Sequence, residues 1–159
     1  MTLAALFLLA GVAGFFVAQR DRAVQDGLQT IADEAAAYVD EVTRSAGALC
    51  TSISIGSPVD PPSNPVGLEL PALAAGRGYL LVLHGSFIVA DDGGRRAESG
   101  LRVPVHLWEP GGRPYSVDEI AILDATSTSL SMGPGGSMAI SRQAIEVDGM
   151  TALETFAYL

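Results

Sequence analysis

An α+β fold is predicted, with one long N-terminal helix followed by an antiparallel β-sandwich-like head. Three observations predict it. An uncharged apolar run at residues 2–19 passes without a proline into an amphipathic stretch ending near residue 48. A connector at 57–65 (SPVDPPSNP) then carries four prolines. Beyond it, short runs of branched and aromatic residues alternate with glycine-rich turn signals at intervals of about 8–12 residues. The chain accordingly divides into a helix at 1–50, a proline-rich linker at 51–66 and a β-rich head at 67–159.

The composition restricts what such a chain can do. Its 159 residues are 48% hydrophobic and 17% charged, with a mean hydropathy of +0.34, too apolar for a disordered polymer. The 9 basic and 18 acidic residues give a formal charge of −9 and a pI near 4.4. Phosphate recognition needs a basic footprint, so no nucleic-acid partner is expected. Every cation is an arginine. The only asparagine, Asn64, precedes Pro65, so no N-glycosylation sequon exists. The single cysteine, Cys50, cannot form an internal disulfide and is expected as a small buried hydrophobe.

Residues 2–19 (TLAALFLLAGVAGFFVAQ) hold no charge over eighteen positions, at the short end of what spans a bilayer. A cleaved secretory signal, a buried core helix and a membrane-inserted or filament-core helix are the three readings. The first lacks a basic n-region and has a poor cleavage site at Phe16-Val17-Ala18. The second lacks any polar face. The third therefore leads, with 1–19 as membrane or filament core. Arg20 and Arg22 follow the run and nothing basic but the terminal amine precedes it, which would leave the rest of the chain in the cytoplasm. A short basic leader ahead of Met1 would reverse that orientation, so Met1 is expected to mark a processed or truncated start.

From Arg20 onward the pattern changes. Val24, Leu28, Ile31, Ala35, Val39 and Val42 recur at steps of three and four, the spacing of one helical stripe. Asp21, Asp26, Asp33, Glu34, Asp40, Glu41 and Arg44 occupy other positions. One helix is predicted from about residue 3 to about 48, ~70 Å long at 1.5 Å per residue. Its first half is apolar all round, and its second half lies against a domain along one stripe.

In the head, residues 79–90 (YLLVLHGSFIVA) read as one long strand ended by turn chemistry at Asp91-Asp92-Gly93-Gly94. Residues 101–108 (LRVPVHLW) alternate, with Leu101, Val103, Val105 and Leu107 on one face and Arg102, Pro104, His106 and Trp108 on the other. Pro104 puts that strand at a sheet edge or bulge. Further strands are expected at 119–125, 127–132, 137–141, 144–147 and 153–159, with a brief strand and turn at 68–75. Gly111-Gly112, Gly133-Pro134-Gly135-Gly136 and Asp148-Gly149 supply turns.

Catalytic and metal chemistry needs a constellation, and the sequence offers none. His84 and His106 have no partner at metal-ligand spacing, and His106 is expected on an exposed strand face. Asp91 and Asp92 read as turn residues without calcium-loop spacing. The 133–136 glycine cluster lacks a phosphate-loop lysine, and no Gly-x-Ser-x-Gly elbow occurs. Thr126-Ser127-Thr128-Ser129 could carry O-linked sugar, but a polar strand face is the simpler reading. Trp108, Tyr115 and Tyr158 read as core or rim aromatics. No enzyme activity, cofactor or metal is expected.

Taken together, residues 1–18 running into an amphipathic 20–50 and then a β head resemble a type IV pilin-like protein. The archaeal class, where the head is all β, is the closer match. The stretch Arg20-Asp21-Arg22-Ala23-Val24 with Leu28, and Leu70-Pro71-Ala72-Leu73-Ala74-Ala75-Gly76-Arg77-Gly78-Tyr79, look like pilin-like proteins of salt-loving archaea. Residues 2–19 lack the acid that bacterial pilins carry near the start of the helix. The family's basic-Gly cleavage motif is absent from the chain, as in a mature subunit. The resemblance implies a lollipop-shaped subunit, a leader removed by a prepilin peptidase, and a pilus assembly machinery. It also implies membrane insertion before assembly, then a helical homopolymer at the cell surface, with adhesion as the expected role. Filament-core contacts fall on Leu3, Leu6, Phe7, Leu8, Leu9, Val12, Phe15, Phe16 and Val17. Val24, Leu28, Ile31, Ala35, Val39 and Val42 would pack the helix on the head. The alternative is a single-pass, membrane-anchored extracytoplasmic binding module that never polymerises. Small residues such as Ala10, Gly11, Ala13 and Gly14 permit close helix approach in either setting.

Overall fold

The computed structural model describes residues 2–56 and 67–159, with side chains from Val12 onward. Helix α1 (Thr2–Arg44) is continuous over 43 residues, about 65 Å at 1.5 Å per residue. Ten alanines and five leucines favour it and no proline intervenes. Local bonds tighten its C-terminal turns. Thr43 Oγ1 donates to Val39 O at 2.8 Å, Arg44 Nε to Asp40 O at 3.0 Å, and Ser45 N to Val42 O at 3.1 Å.

The helix ends four residues before the expected 48 because the next residues enter a sheet. Strand β1 (Leu49–Ile55) alternates from Thr51 onward, burying Thr51, Ile53 and Ile55. Residues 51–55 are thus core and not linker; period-2 alternation was present in Thr51-Ser52-Ile53-Ser54-Ile55, hidden by its serines. Cys50 precedes the first buried position and is exposed, correcting the expectation of a buried thiol. Residues 57–66, the proline cluster, lie outside the described residues.

Strand β2 (Leu68–Leu70) pairs in parallel with β1. Ala74 and Arg77 then exchange both backbone hydrogen bonds around Ala75-Gly76, each at positive φ. Tyr79 Oη donates to Pro71 O at 2.7 Å and latches the whole 70–79 stretch. The expected single strand at 79–90 is a hairpin, β3 (Leu80–His84) and β4 (Phe87–Asp91), turning at Gly85-Ser86. Strand β5 (Arg96–Gly100) follows the Asp91–Gly94 turn, where Asp91 and Asp92 carboxylates accept from the Gly93 and Gly94 amides.

Residues 101–108 form no strand, contrary to their alternation. The segment crosses between sheets: Leu101 N and Val105 N donate to Ser86 O and Gly85 O, whereas His106 pairs with Thr155 and Ala157. Pro104 has no amide to continue a ladder. Trp108, on the expected outer face, is buried, and Val103, on the expected inner face, is exposed. Residues 119–125 are also corrected, from strand to helix α2 (Val117–Thr126). Ser116 and Glu119 close a capping box there, a signal legible as Ser-x-x-Glu.

Strand β6 (Ser129–Met132) and the Gly133–Gly136 turn lead to β7 (Ser137–Val147), which joins the two short strands expected at 137–141 and 144–147. A two-residue Asp148-Gly149 turn, both at positive φ, returns it as β8 (Met150–Tyr158). One sheet has the order β2-β1-β7-β8 and the other β5-β4-β3-β6. All pairs but β1–β2 are antiparallel. One core takes side chains from α1 and both sheets, including Leu28, Val39, Ile53, Leu81, Ile88 and Ile140. A second cluster under α2 holds Trp108, Tyr115, Ile145 and Phe156.

Candidate assembly surface

Helix α1 has two kinds of surface. Among its described side chains none before Val24 is buried. Val12, Phe15, Phe16 and Val17 are 50%, 61%, 64% and 61% exposed. Phe15 and Phe16 touch only edge to face, with ring centroids 6.2 Å apart. Leu3, Leu6, Phe7, Leu8 and Leu9 belong to the backbone-described part of α1, and their side chains lie outside the described residues. Contiguous apolar surface of this kind marks an interaction site in a folded chain. Among the described residues no helix is long and apolar enough to cross a membrane. Only residues 12–19 of the apolar run carry described side chains.

From Val24 the same helix becomes part of the core. Val24, Leu28, Ile31, Ala35, Val39 and Val42 are all buried. Ala32 and Ala36 join them and let β-strand side chains approach the helix axis. Each fully buried aliphatic side chain is worth about 1.5–3 kcal/mol relative to exposure, so this stripe fixes α1 firmly to both sheets.

Polar side chains set where the attachment begins. Asp21 pairs with Arg95 at the β4–β5 turn. One and two turns further, Gln25 Nε2 donates to Arg96 O at 3.1 Å and Gln29 Nε2 to Glu98 O at 3.2 Å. These amides cover carbonyls of β5, an edge strand whose unpaired backbone would otherwise be open to another chain. At the far end Asp40 Oδ1 accepts from Arg102 N at 3.0 Å, Tyr38 bonds Thr51, and Arg142 Nε donates to Ser45 O at 2.9 Å. None of these polar anchors was singled out from sequence; only long-range pairing reveals them.

Away from α1, His106 departs from its expected exposed strand face. Its ring stacks on Phe156, with centroids 5.1 Å apart, and Nδ1 donates to Asp124 Oδ1 at 2.8 Å. Trp108 Nε1 donates to the same oxygen at 2.9 Å. Trp108 and Tyr115 are buried, while Tyr158 is half-buried against the same cluster. Among the described residues no group of three or more His, Cys, Asp or Glu could hold a metal ion.

No protein-family model matches this chain, and no characterised protein or solved structure shows detectable similarity to it.

Proposed function

We infer that the chain is a structural subunit of an archaeal type IV pilus-like cell-surface filament, polymerising through the first half of α1. The reading gives a lollipop: a sandwich-like head carried on a helix that begins in the filament core. One observation carries it. A single unbroken helix changes from water-exposed phenylalanine and valine at 12–17 to a fully buried stripe from Val24. The exposed part needs a non-aqueous partner, and the buried part transmits any force on it directly to the head.

A second copy satisfies that need repeatedly. When one patch meets a different patch on the next copy, the contact propagates as an open helical polymer. Small residues at Ala13, Gly14 and Ala18 allow close helix packing. Before assembly the same segment would sit in the membrane, where a prepilin peptidase would remove a leader. Adhesion is the role that a head-bearing surface fibre would serve.

The test is sedimentation without detergent. Wild-type chain should pellet as polymer, and Phe16→Arg should not, while thermal unfolding of the head stays unchanged. Phe16 is largely exposed and lies eight residues ahead of Val24, where burial begins, so its replacement separates assembly from folding. Equal pelleting of the two proteins would overturn the assignment. A wild-type chain that follows membrane vesicles and never pellets alone would instead favour the anchored binding module.

A further inference from the structure

An open cleft of about 440 Å³ lies between the β3–β4 turn, the crossing segment and the end of α2. Its walls are mixed. Phe87, Pro104 and Leu107 offer apolar surface, and His84, Asp124, Ser127 and Thr128 offer polar atoms. No lining residue belongs to α1, so the cleft is separate from the assembly surface.

Two of its polar groups are held in place with an acceptor to spare. Asp124 Oδ1 takes both N–H donors that reach this carboxylate, from His106 and Trp108. Oδ2 has no protein partner among the described residues, and the side chain is 42% exposed. A carboxylate in the last turn of a helix faces the negative end of the helix dipole, so α2 itself gives no reason for an acid at this position. His84 is oriented in a similar way. Its ring stacks on Phe87, with centroids 4.3 Å apart, and Nδ1 lies 3.2 Å from Thr128 O. A carbonyl only accepts, so Nδ1 carries the proton, and Nε2 of the neutral ring is an acceptor without a protein partner among the described residues.

The cleft therefore presents two oriented acceptors, hydroxyls that can donate or accept, and an apolar wall. That set fits a ligand with several O–H donors on one edge and a C–H face on the other. We propose that this cleft binds a neutral sugar unit of a glycan, with ring hydroxyls on Asp124 Oδ2 and His84 Nε2 and the sugar's C–H face against Phe87 and Pro104. Sites of this volume with a few fixed polar groups are the usual form of small-ligand recognition, and pre-orientation removes part of the ordering cost of binding.

The test titrates glucose, galactose, mannose and N-acetylglucosamine into the full chain in detergent micelles, followed by NMR, with glycerol as control. At least one sugar should shift signals of the cleft saturably, with a millimolar Kd, where glycerol gives no saturation. Asp124→Asn keeps an oxygen for His106 and Trp108 and replaces the second acceptor with a donor. His84→Phe keeps a ring to stack on Phe87 and removes Nε2 together with the Nδ1 bond to Thr128 O. Each should weaken the sugar at least about tenfold, a change of about 1.4 kcal/mol, while the protein still unfolds in a single cooperative thermal transition. No saturable shift by any of the four sugars would overturn the proposal, as would wild-type affinity in both variants. Filament formation is read separately, so failure of one reading leaves the other to its own experiment.

Discussion

Gly27 and Gly67 show how differently one residue type can be constrained. A Cβ built at Gly27 would lie 3.6 Å from Ala74 Cβ, an ordinary contact. Gly27→Ala should therefore raise stability by about 0.5–1 kcal/mol through helix propensity, read as a higher urea midpoint. At Gly67 the φ is +150° and a Cβ would fall 2.3 Å from Ser52 O, so alanine there should separate β2 from β1 and lower the same midpoint. Ionisable residues add a pH signature. The Gly94 amide foremost, then the Arg95 amide and the Arg77 guanidinium, hold the Asp92 carboxyl below the ordinary carboxylate range against the opposing effect of burial. A lowered pKa stabilises the fold above the unfolded value near ~4, and that contribution is lost as pH falls. Asp92→Asn should accordingly flatten the acid limb of a stability–pH curve. Tyr79 has the opposite sign. Burial first, and the Glu34 charge second, push its phenol up to about 12. Its contribution is complete below the unfolded value of ~10 and disappears as pH rises through about 12. Tyr79→Phe should lose less stability than wild type between those values, measured by urea unfolding.

Element by element, packing decides what local pattern leaves open. Leu28 is fully buried in the α1 stripe, and Leu28→Ala should cost about 2–5 kcal/mol in equilibrium unfolding. That stripe was legible in the sequence because a 3.6 period over six positions has no competing explanation. The Asp148-Gly149 hairpin was legible because two positive-φ residues in a row demand such a pair. Other elements were hidden for identifiable reasons. The stretch Ile120-Ala121-Ile122-Leu123 is branched and apolar enough to suggest a strand, and the Ser116–Glu119 capping box outweighs it. Ser116→Ala should remove about 1 kcal/mol and loosen α2 first, visible as faster amide exchange at Leu123 and Asp124. Residues 101–108 alternate like a strand, but their hydrogen bonds are divided between two sheets, which no single-segment pattern encodes. The His106–Asp124–Trp108 cluster depends on both of those misread elements and so was illegible from sequence.

At the scale of the molecule, the two sheets and the second half of α1 share one core, while the described residues at 12–17 remain outside it. A chain built this way would lose apolar-water contact by adding copies of itself along the helix. The anchors at Asp21, Gln25 and Gln29 tie α1 to β5 at the point where burial starts, so helix and head would enter a polymer as one unit. Electron cryo-microscopy of native, detergent-free material tests this most directly. Assembly through α1 predicts regular fibres whose core is a bundle of the α1 N-terminal halves, with the heads outside. Protein found only in membrane vesicles, or fibres held together by heads with α1 at the periphery, would contradict it.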